Sequence, residues 1–149
     1  MAVAALVLAV DQLTKAWAVS ALDDGHDIDV VWTLRLHLTF NGGMAFSQGR
    51  GLGPVIGVVA IVVVAVLLIS LRRAGSVVAS VAVGLVVGGA AGNVFDRLFR
   101  SGDGFLTGEV VDFIDLQWWP VFNVADAAVV IGGILLLVST FIVSDPGER

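Results

Sequence analysis

The 149-residue sequence contains no cysteine, and this absence excludes disulfides, thiolate catalysis and cysteine-ligated zinc. It contains only two histidines, His26 and His37, and no HExxH motif. Charged residues make up only 14% of the chain, whereas soluble domains carry about 25%. The net charge is −5 and no basic patch is present, which argues against binding to nucleic acid. We therefore expect neither a metal nor a cofactor.

Apolar residues dominate instead, at 58% of the chain, and this composition is typical of a membrane protein. A membrane-spanning helix needs about 20 mostly apolar residues. Four segments qualify, at about 1–21, 53–71, 76–99 and 123–143. The first is not a typical cleaved signal, because it has no positive n-region and is interrupted by Asp11 and Lys15. It opens almost inside a helix, so residues upstream are expected. The predicted fold is a single all-α membrane domain over residues 1–149.

The connection between the second and third spans predicts the orientation of all four. It is only "RRAG" long and carries two arginines, which favours the cytoplasmic side. Both termini are then cytoplasmic, and residues 22–52 and about 100–122 are extracytoplasmic. Four tryptophans fall at or beyond the outer ends of the spans, where an aromatic belt is expected: Trp17, Trp32, Trp118 and Trp119. Three arginines in the outer segments oppose this orientation: Arg35, Arg50 and Arg100.

Two further patterns predict how the chain packs. In "WTLRLHLTF", residues 32–40, apolar and polar residues alternate strictly, which predicts a β-strand with one wet face, and "NGG" then predicts a turn and a short return. Gly84, Gly88 and Gly92 share one face of the third span, and this spacing favours close packing of another helix rather than chemistry.

Polar residues in or beside the spans are functional candidates, because a charge in the bilayer centre costs about 2.5–3.5 kcal/mol or more. Asp11 and Lys15 are four residues apart and share a helical face. Two interpretations stay open for them: a pair that neutralises itself, or a support that holds a neighbouring loop over an active site.

Asn93, Asp96 and Arg97 close the third span on one side of the helix. A structural clamp is favoured over catalysis for Asp96, because a carboxylate beside an arginine tends to stay ionised. Arg97 is a candidate to bind a substrate carbonyl or a lipid head group.

Asp112 and Asp126 are the strongest catalytic candidates. Asp126 follows Asn123 by three residues, a spacing that also suits a helix N-cap. Asp112, in "VVDFID", has no neighbouring cation and no cap to explain it, and Asp115 is its nearest rival. Two carboxylates brought together resist ionising at once, so one keeps a proton while the other acts as a base. Such a pair can hydrolyse a peptide bond with water and needs no metal.

These motifs resemble those of the lipoprotein signal peptidases, the signal peptidase II family. Five motifs in order, over nearly the whole chain, carry the resemblance: "DQLTKAW", "NGGMAFS", "GGAAGNVFDR", "VVDFID" and "FNVAD". The sequence departs from the family at Met44, where alanine is usual, and this residue is expected to alter the pocket without abolishing the chemistry.

The resemblance implies an aspartyl endopeptidase of the bacterial inner membrane, with four transmembrane helices, an extracytoplasmic β-cradle and an active site near the outer face. It implies cleavage of diacylglyceryl-modified prolipoproteins before the lipidated cysteine, and inhibition by globomycin. The other expected partners are membrane lipids, and the expected state is a monomer. Asp112 and Asp126 are implied to be the catalytic pair. The implied supporting residues are Asn41, Asn93, Arg97, Asn123, Asp11 and Lys15, beside the clamp at Asp96.

Three other functions are weighed against this one. A proton-coupled transporter would need acids near the bilayer midplane, whereas only Asp11 is there and Lys15 accompanies it. A non-catalytic scaffold assembled on the glycine face leaves Asp112 unexplained. A presenilin-like protease would need a Gly-x-Gly-Asp motif, which "GLGP" and "SGDG" do not supply.

Overall fold

The computed structural model describes residues 1–43, 52–71, 76–100 and 102–143. The elements follow in chain order: α1 (Ala2–Leu22), β1 (Ile28–Val31), β2 (Leu34–Asn41), α2 (Gly53–Leu71), α3 (Val77–Phe99), β3 (Val110–Asp115) and α4 (Val124–Val143). The four predicted helices are confirmed, with ends within about a residue of those expected. Met44, the predicted return after the turn, and the "RRAG" connection lie outside the described residues.

Helix α3 is the central helix, and it packs against the other three. Its glycine face allows α1 to approach closely. A Cβ added at Gly84 would lie 2.8 Å from the Cβ of Val3, and one at Gly88 would lie 2.7 Å from the carbonyl oxygen of Ala4. The packing role predicted for this face is therefore confirmed. Because the glycines of α3 leave room for α1 to approach this closely, the polar residues of the two helices can meet directly.

Replacing Gly88 by alanine is expected to destabilise the fold, by about 1–3 kcal/mol, because the new methyl group would overlap backbone and side-chain atoms of α1. Gly133 in α4 is the matched control, since a Cβ there meets nothing within 4 Å. Thermal unfolding of Gly88→Ala and Gly133→Ala in detergent checks the difference. Equal melting temperatures for the two variants would show that the α1–α3 contact is looser than described.

Two helices, α1 and α3, are long and apolar enough to cross a membrane by length and composition. Within the described residues, the apolar parts of α2 and α4 are shorter, Gly53–Ile69 and Val124–Ser139. Outward-facing apolar side chains nevertheless cover both of these helices, for example Val62 on α2 and Leu137 on α4. A crossing by all four helices stays a prediction.

The three strands form one antiparallel sheet in the order β1-β2-β3. The predicted strand is confirmed as β2, but Trp32 lies in the turn before it. The predicted wet face is present in part: Arg35 and His37 keep 33% and 41% of their side chains exposed, while Leu36 and Leu38 pack against an apolar cluster. Phe40, expected on the dry face, is 49% exposed. A register shift between Leu36 and Thr39 interrupts the pairing with β3, so the strict alternation of the sequence is not kept in space. Strands β1 and β3 were not predicted.

The sheet is attached to the end of α1 by a small apolar cluster. Val111 and Phe113 of β3 pack with Ala18 and Leu22 of α1. Because successive side chains of a strand point to opposite faces, Asp112 points away from this cluster. It is thereby directed toward the beginning of α4.

Candidate active site

The first turn of α4 is capped by its own side chains. The Asp126 backbone N–H donates to Asn123 Oδ1 over 2.9 Å, and the Asn123 N–H donates back to Asp126 Oδ2 over 3.2 Å. This reciprocal pattern is a capping box, which satisfies two of the free N–H groups at a helix start. The capping role predicted for Asp126 is therefore present. It leaves Asp126 Oδ1 for contacts with other elements.

Asp112 is held in the sheet by two asparagines. Its Oδ1 accepts a hydrogen bond from Asn123 Nδ2 at 2.7 Å, and its Oδ2 accepts one from Asn41 Nδ2 at 3.1 Å. Asn41 is fixed in turn, because its Oδ1 accepts the N–H of Gly43. Asp112 is almost fully buried, and within the described residues it forms no salt bridge with an arginine or a lysine. This agrees with the expectation that nothing neutralises it.

Asn93 of α3 joins the two acids. Its Nδ2 donates to Asp126 Oδ1 over 2.7 Å, and its Oδ1 accepts from Asn123 Nδ2 over 3.1 Å. Lys15 Nζ donates to the same Oδ1 over 3.0 Å. Two donors at Oδ1 determine which way the amide is oriented, so the Nδ2 of Asn93 has to face Asp126. Asp112 and Asp126 therefore belong to one hydrogen-bonded network that passes through Asn123 and Asn93.

The two acids also influence each other electrostatically. Burial and the negative charge of Asp126 raise the pKa of Asp112 to about 7, against the opposing effect of the bonds from Asn41 and Asn123. Burial disfavours the charged form, and a nearby like charge disfavours it further. An acid whose pKa lies near neutral can hold and release a proton around neutral pH, as acid–base catalysis requires.

Lys15 lies behind the pair, fully buried between two carboxylates. Its Nζ is 2.9 Å from Asp11 Oδ2 and 2.8 Å from Asp96 Oδ2. The first interpretation of Asp11 and Lys15 is confirmed, because they pair with each other. Lys15 also contacts Asn93 of α3, and support of a loop over an active site stays a prediction. Asp11 additionally accepts the N–H of Ala125 over 2.9 Å, which fastens the start of α4 to α1.

Asp96 acts as a clamp, but the prediction that Arg97 is its partner was wrong. Its partners are Lys15 and Arg100, the latter at 2.8 Å, while Arg97 lies on another side of the helix end. Asp96 Oδ2 also accepts the N–H of Val111 over 3.3 Å, so it links α3 to the strand that carries Asp112.

Sequence reasoning missed two residues of this cluster, Gln12 and Arg100. Gln12 Nε2 donates to Asp11 and Asp96, each over 3.1 Å, and to the carbonyl of Gly92. An amide next to an aspartate inside an apolar helix was the available signal for Gln12. Arg100 is four residues after Asp96, which is the spacing of a helical ion pair.

Asp115, the alternative candidate to Asp112, is bonded to residues outside this network. Its Oδ2 is 2.6 Å from Arg35 Nε, and its Oδ1 accepts the N–H of Gln117. Burial alone would raise the pKa of Asp115, but these two bonds hold it below its ordinary value. Asp115 therefore stays a carboxylate and fastens the far end of the sheet.

A cavity of about 540 Å³ opens beside Asp126, between α2, α3 and α4, and Asn41, which bonds Asp112, also lines it. Its polar lining consists of Asn41, Asn93, Arg97 and Asp126, and the rest is chiefly apolar. Arg97 Nη1 donates to the carbonyl of Asn93 over 3.3 Å, while its buried Nε has no hydrogen-bond partner within the described part of the chain. A buried donor without a partner is unfavourable unless a ligand satisfies it.

In the same described residues no group of metal ligands is found, and the absence of a metal stays a prediction.

Comparisons with known proteins agree with this architecture. The sequence profile described as signal peptidase (SPase) II matches residues 3–142. The lipoprotein signal peptidase of Rhodococcus jostii (strain RHA1) is 43% identical over 97% of this chain and 73% of its own length. That of Mycobacterium avium (strain 104) is 45% identical over 93% of this chain and 76% of its own length.

Two solved structures of bacterial membrane enzymes have the same fold. One superposes with a TM-score of 0.83 at 28% identity, over 99% of this chain and 90% of the other. The second has a TM-score of 0.78 at 29% identity, over 93% and 89% of the two chains. With apolar helices of its own, this chain is a membrane protein. The match over nearly its whole length shows that the chain belongs to the signal peptidase II family, a family of peptidases.

Proposed function

We propose that the protein is an aspartyl endopeptidase that removes the signal peptide from diacylglyceryl-modified prolipoproteins, cutting before the lipidated cysteine. The observation that carries the proposal is a network in which Asn123 hydrogen-bonds both Asp112 and Asp126, while Asn93 bonds Asp126 and Asn123. The raised pKa of Asp112 supports it, because the negative charge of Asp126 is one of its causes. Family membership supplies the substrate class.

In the proposed mechanism the two acids divide the work. Asp112 holds the shared proton at and below neutral pH, and it donates a hydrogen bond to the carbonyl of the scissile peptide. Asp126 lies in the first turn of α4, where the helix N-terminus favours negative charge, and it takes a proton from water. The water oxygen attacks the carbonyl carbon while Asp112 protonates the carbonyl oxygen, which gives a tetrahedral diol.

The diol then collapses to products. Its C–N bond breaks, and the leaving nitrogen receives the proton that Asp126 took from water. The second diol hydroxyl returns a proton to Asp112, so that a new carboxyl group and a new amino group are released. No covalent intermediate with the enzyme forms, which suits a chain without cysteine.

Neighbouring residues hold this pair in place. Asn41, Asn93 and Asn123 orient the carboxylates, and Lys15 orients Asn93 through its amide oxygen. The unpartnered Nε of Arg97 is proposed to donate to a backbone carbonyl of the bound substrate, since it is buried beside the cavity. Asp11 and Asp96 keep Lys15 in position.

The proposed setting is the bacterial inner membrane. Residues 1–149 form one domain whose four helices all cross the bilayer, with both termini cytoplasmic and the sheet outside. The signal peptide enters the largely apolar cavity between α2, α3 and α4 from the lipid phase. The enzyme acts as a monomer in contact with lipid, and globomycin-type peptides compete for the same cavity.

The rate of cleavage is expected to fall as the pH rises through about 7, because Asp112 then loses the proton that polarises the carbonyl. The loss in kcat/KM approaches about tenfold per pH unit on the alkaline side. A pH–rate profile in detergent, with a lipidated prolipopeptide, checks the midpoint. Asp115→Asn is the matched control and leaves the midpoint unchanged. A rate that stays flat between about pH 6 and 9 would contradict this division of roles.

The function itself is tested by incubating the purified protein with a diacylglyceryl prolipoprotein and following its mobility on a gel. The expected result is a shift to the mature form that globomycin prevents. Protein that binds the substrate and leaves it uncut in every detergent and lipid tried would overturn the proposal. The unlipidated precursor is the matched substrate control, and it should remain uncut.

A further inference from the structure

The two loops at the tip of the sheet expose large apolar side chains. Trp32, in the turn between β1 and β2, is 99% exposed, and Val30 and Val31 before it are exposed as well. Trp118 and Trp119 follow β3 and are also exposed, with their rings in edge-to-face contact at 6.4 Å. Exposed apolar patches of this kind mark surfaces that bind a partner or a membrane.

The two loops are joined to each other. Gln117 Nε2 donates to the carbonyl of Thr33 over 3.1 Å, so the turn of Trp32 lies next to the segment of Trp118. Neither loop carries a charge: the sequence reads "VVWT" over 30–33 and "QWWPVF" over 117–122. The five residues Val30, Val31, Trp32, Trp118 and Trp119 are here called the tip patch.

The backbone at Trp32 adopts a conformation that disfavours a bulky side chain. A two-residue loop, Trp32 and Thr33, joins the paired residues Val31 and Leu34. Trp32 has a φ of 56°, whereas Thr33 has a negative φ. In a hairpin loop with a left-handed first residue, glycine is strongly favoured. A bulky residue at this position is a local conflict, and such conflicts are typical of functional sites.

We propose that the tip patch inserts into the head-group region of the bilayer leaflet next to the sheet and anchors the sheet there. The inference rests on the proposed crossing of the membrane by α4. Trp119 is only five residues before Val124, the first residue of α4. A chain reaches at most about 3.3–3.6 Å per residue, so Trp119 lies within about 18 Å of the helix start. The bond from Gln117 to Thr33 keeps the other loop beside this segment. Tryptophan is the residue that such interfaces enrich.

Charge distribution determines how the hairpin lies. Its base is acidic and exposed, with Asp23, Asp24, Asp27 and Asp29 before the tip. The nearest cation, Arg35, is already paired with Asp27 and Asp115. The tip therefore enters the interface by burying apolar surface and does not depend on anionic lipids. Because Asp112 lies on β3 of the same sheet, the depth of the tip patch sets the depth of the proposed active site.

Depth-dependent quenching of fluorescence tests this inference without using activity. Four variants each keep one tryptophan, at position 17, 32, 118 or 119, with phenylalanine at the other three, and are reconstituted in vesicles. Trp32 and Trp118 are expected to lose about half of their fluorescence to lipids brominated near the head groups, as is Trp17 of α1. Quenching by aqueous acrylamide and none by brominated lipid would overturn the proposal. A tip patch that binds another protein, and not the bilayer, would likewise be quenched by acrylamide and not by brominated lipid.

A paired activity assay separates this inference from the proposed function. Changing Trp32 and Trp118 together to serine should lower cleavage about tenfold in vesicles and leave it unchanged in detergent micelles. The matched change of both to phenylalanine should have no effect in either medium. An equal loss in micelles and vesicles for the serine variant would contradict anchoring. Bromolipid quenching by a protein that cleaves nothing would overturn the proposed function and leave the anchor standing.

Discussion

Asp112→Asn and Asp126→Asn are each expected to reduce cleavage of a lipidated prolipoprotein at least about 10³-fold, which corresponds to about 4 kcal/mol in the activation barrier. Each amide keeps the shape of the side chain but can neither take a proton from water nor donate the acid proton. Asp112 is almost fully buried and has no salt-bridge partner in the described part of the chain, so Asp112→Asn also removes an unfavourable charge. The loss of one acceptor oxygen opposes this gain, because both Asp112 oxygens accept from asparagine amides. The variant should therefore be inactive with a melting temperature close to that of the wild type, as measured by cleavage and by thermal unfolding.

Asp115→Asn is the matched control, since it changes the same residue type in the same strand. Its carboxylate is bonded to Arg35 and to the Gln117 N–H at the far end of the sheet, whereas that of Asp112 is bonded to Asn41 and Asn123. Activity should stay within a few-fold of the wild type. If Asp112→Asn retained normal activity, the catalytic pair would be wrong, and Asp96 would be the next carboxylate to test.

Lys15→Met is expected to have the second-largest effect, and it acts on stability. The variant leaves Asp11 and Asp96 buried with no ammonium group between them. Removing one partner from a buried ion pair costs about 3–5 kcal/mol, because the remaining charge is no longer compensated. Thermal unfolding in detergent should show a large drop in melting temperature, together with poor yield in membranes.

A triple variant separates the missing charge from the missing side chain. Lys15→Met combined with Asp11→Asn and Asp96→Asn contains no buried charge at this position. It should recover much of the stability lost in Lys15→Met alone, although Arg100 loses a partner. If the triple variant were no more stable than Lys15→Met, the role of Lys15 would be packing rather than compensation of charge.

The helices were predictable because their signal is local. An apolar run of about 20 residues identifies a span by itself, and its flanking residues determine the ends. Strand β2 was predictable for the same reason, through its alternation. Strand β3 was not, because "VVDFID" is buried along most of its length and shows no wet face. Its strand structure depends on pairing with β2, which is distant in sequence.

In the candidate site, too, local features were predictable and contacts between distant elements were not. Asp112 was predictable as an acid without a local partner, and Asp126 as a residue of the first helical turn. The predicted partner of Asp96 was wrong, because adjacency in the sequence suggested Arg97. The observed partner, Lys15, belongs to α1, which the glycine face brings close to α3. The role of Asn93 as the link between the acids needed three elements in contact, and no local pattern contains that information.

Infrared titration of the carboxyl groups tests the pairing of Asp112 and Asp126 most directly. The wild-type protein should show a protonated-carboxyl band that disappears with a midpoint near pH 7, and Asp112→Asn should abolish it. Asp126→Asn should move that midpoint to lower pH, because the negative charge that helps to raise the pKa of Asp112 is gone. A midpoint that is the same with and without Asp126 would mean that the two acids do not share a proton, and a water-activating pair could not be upheld.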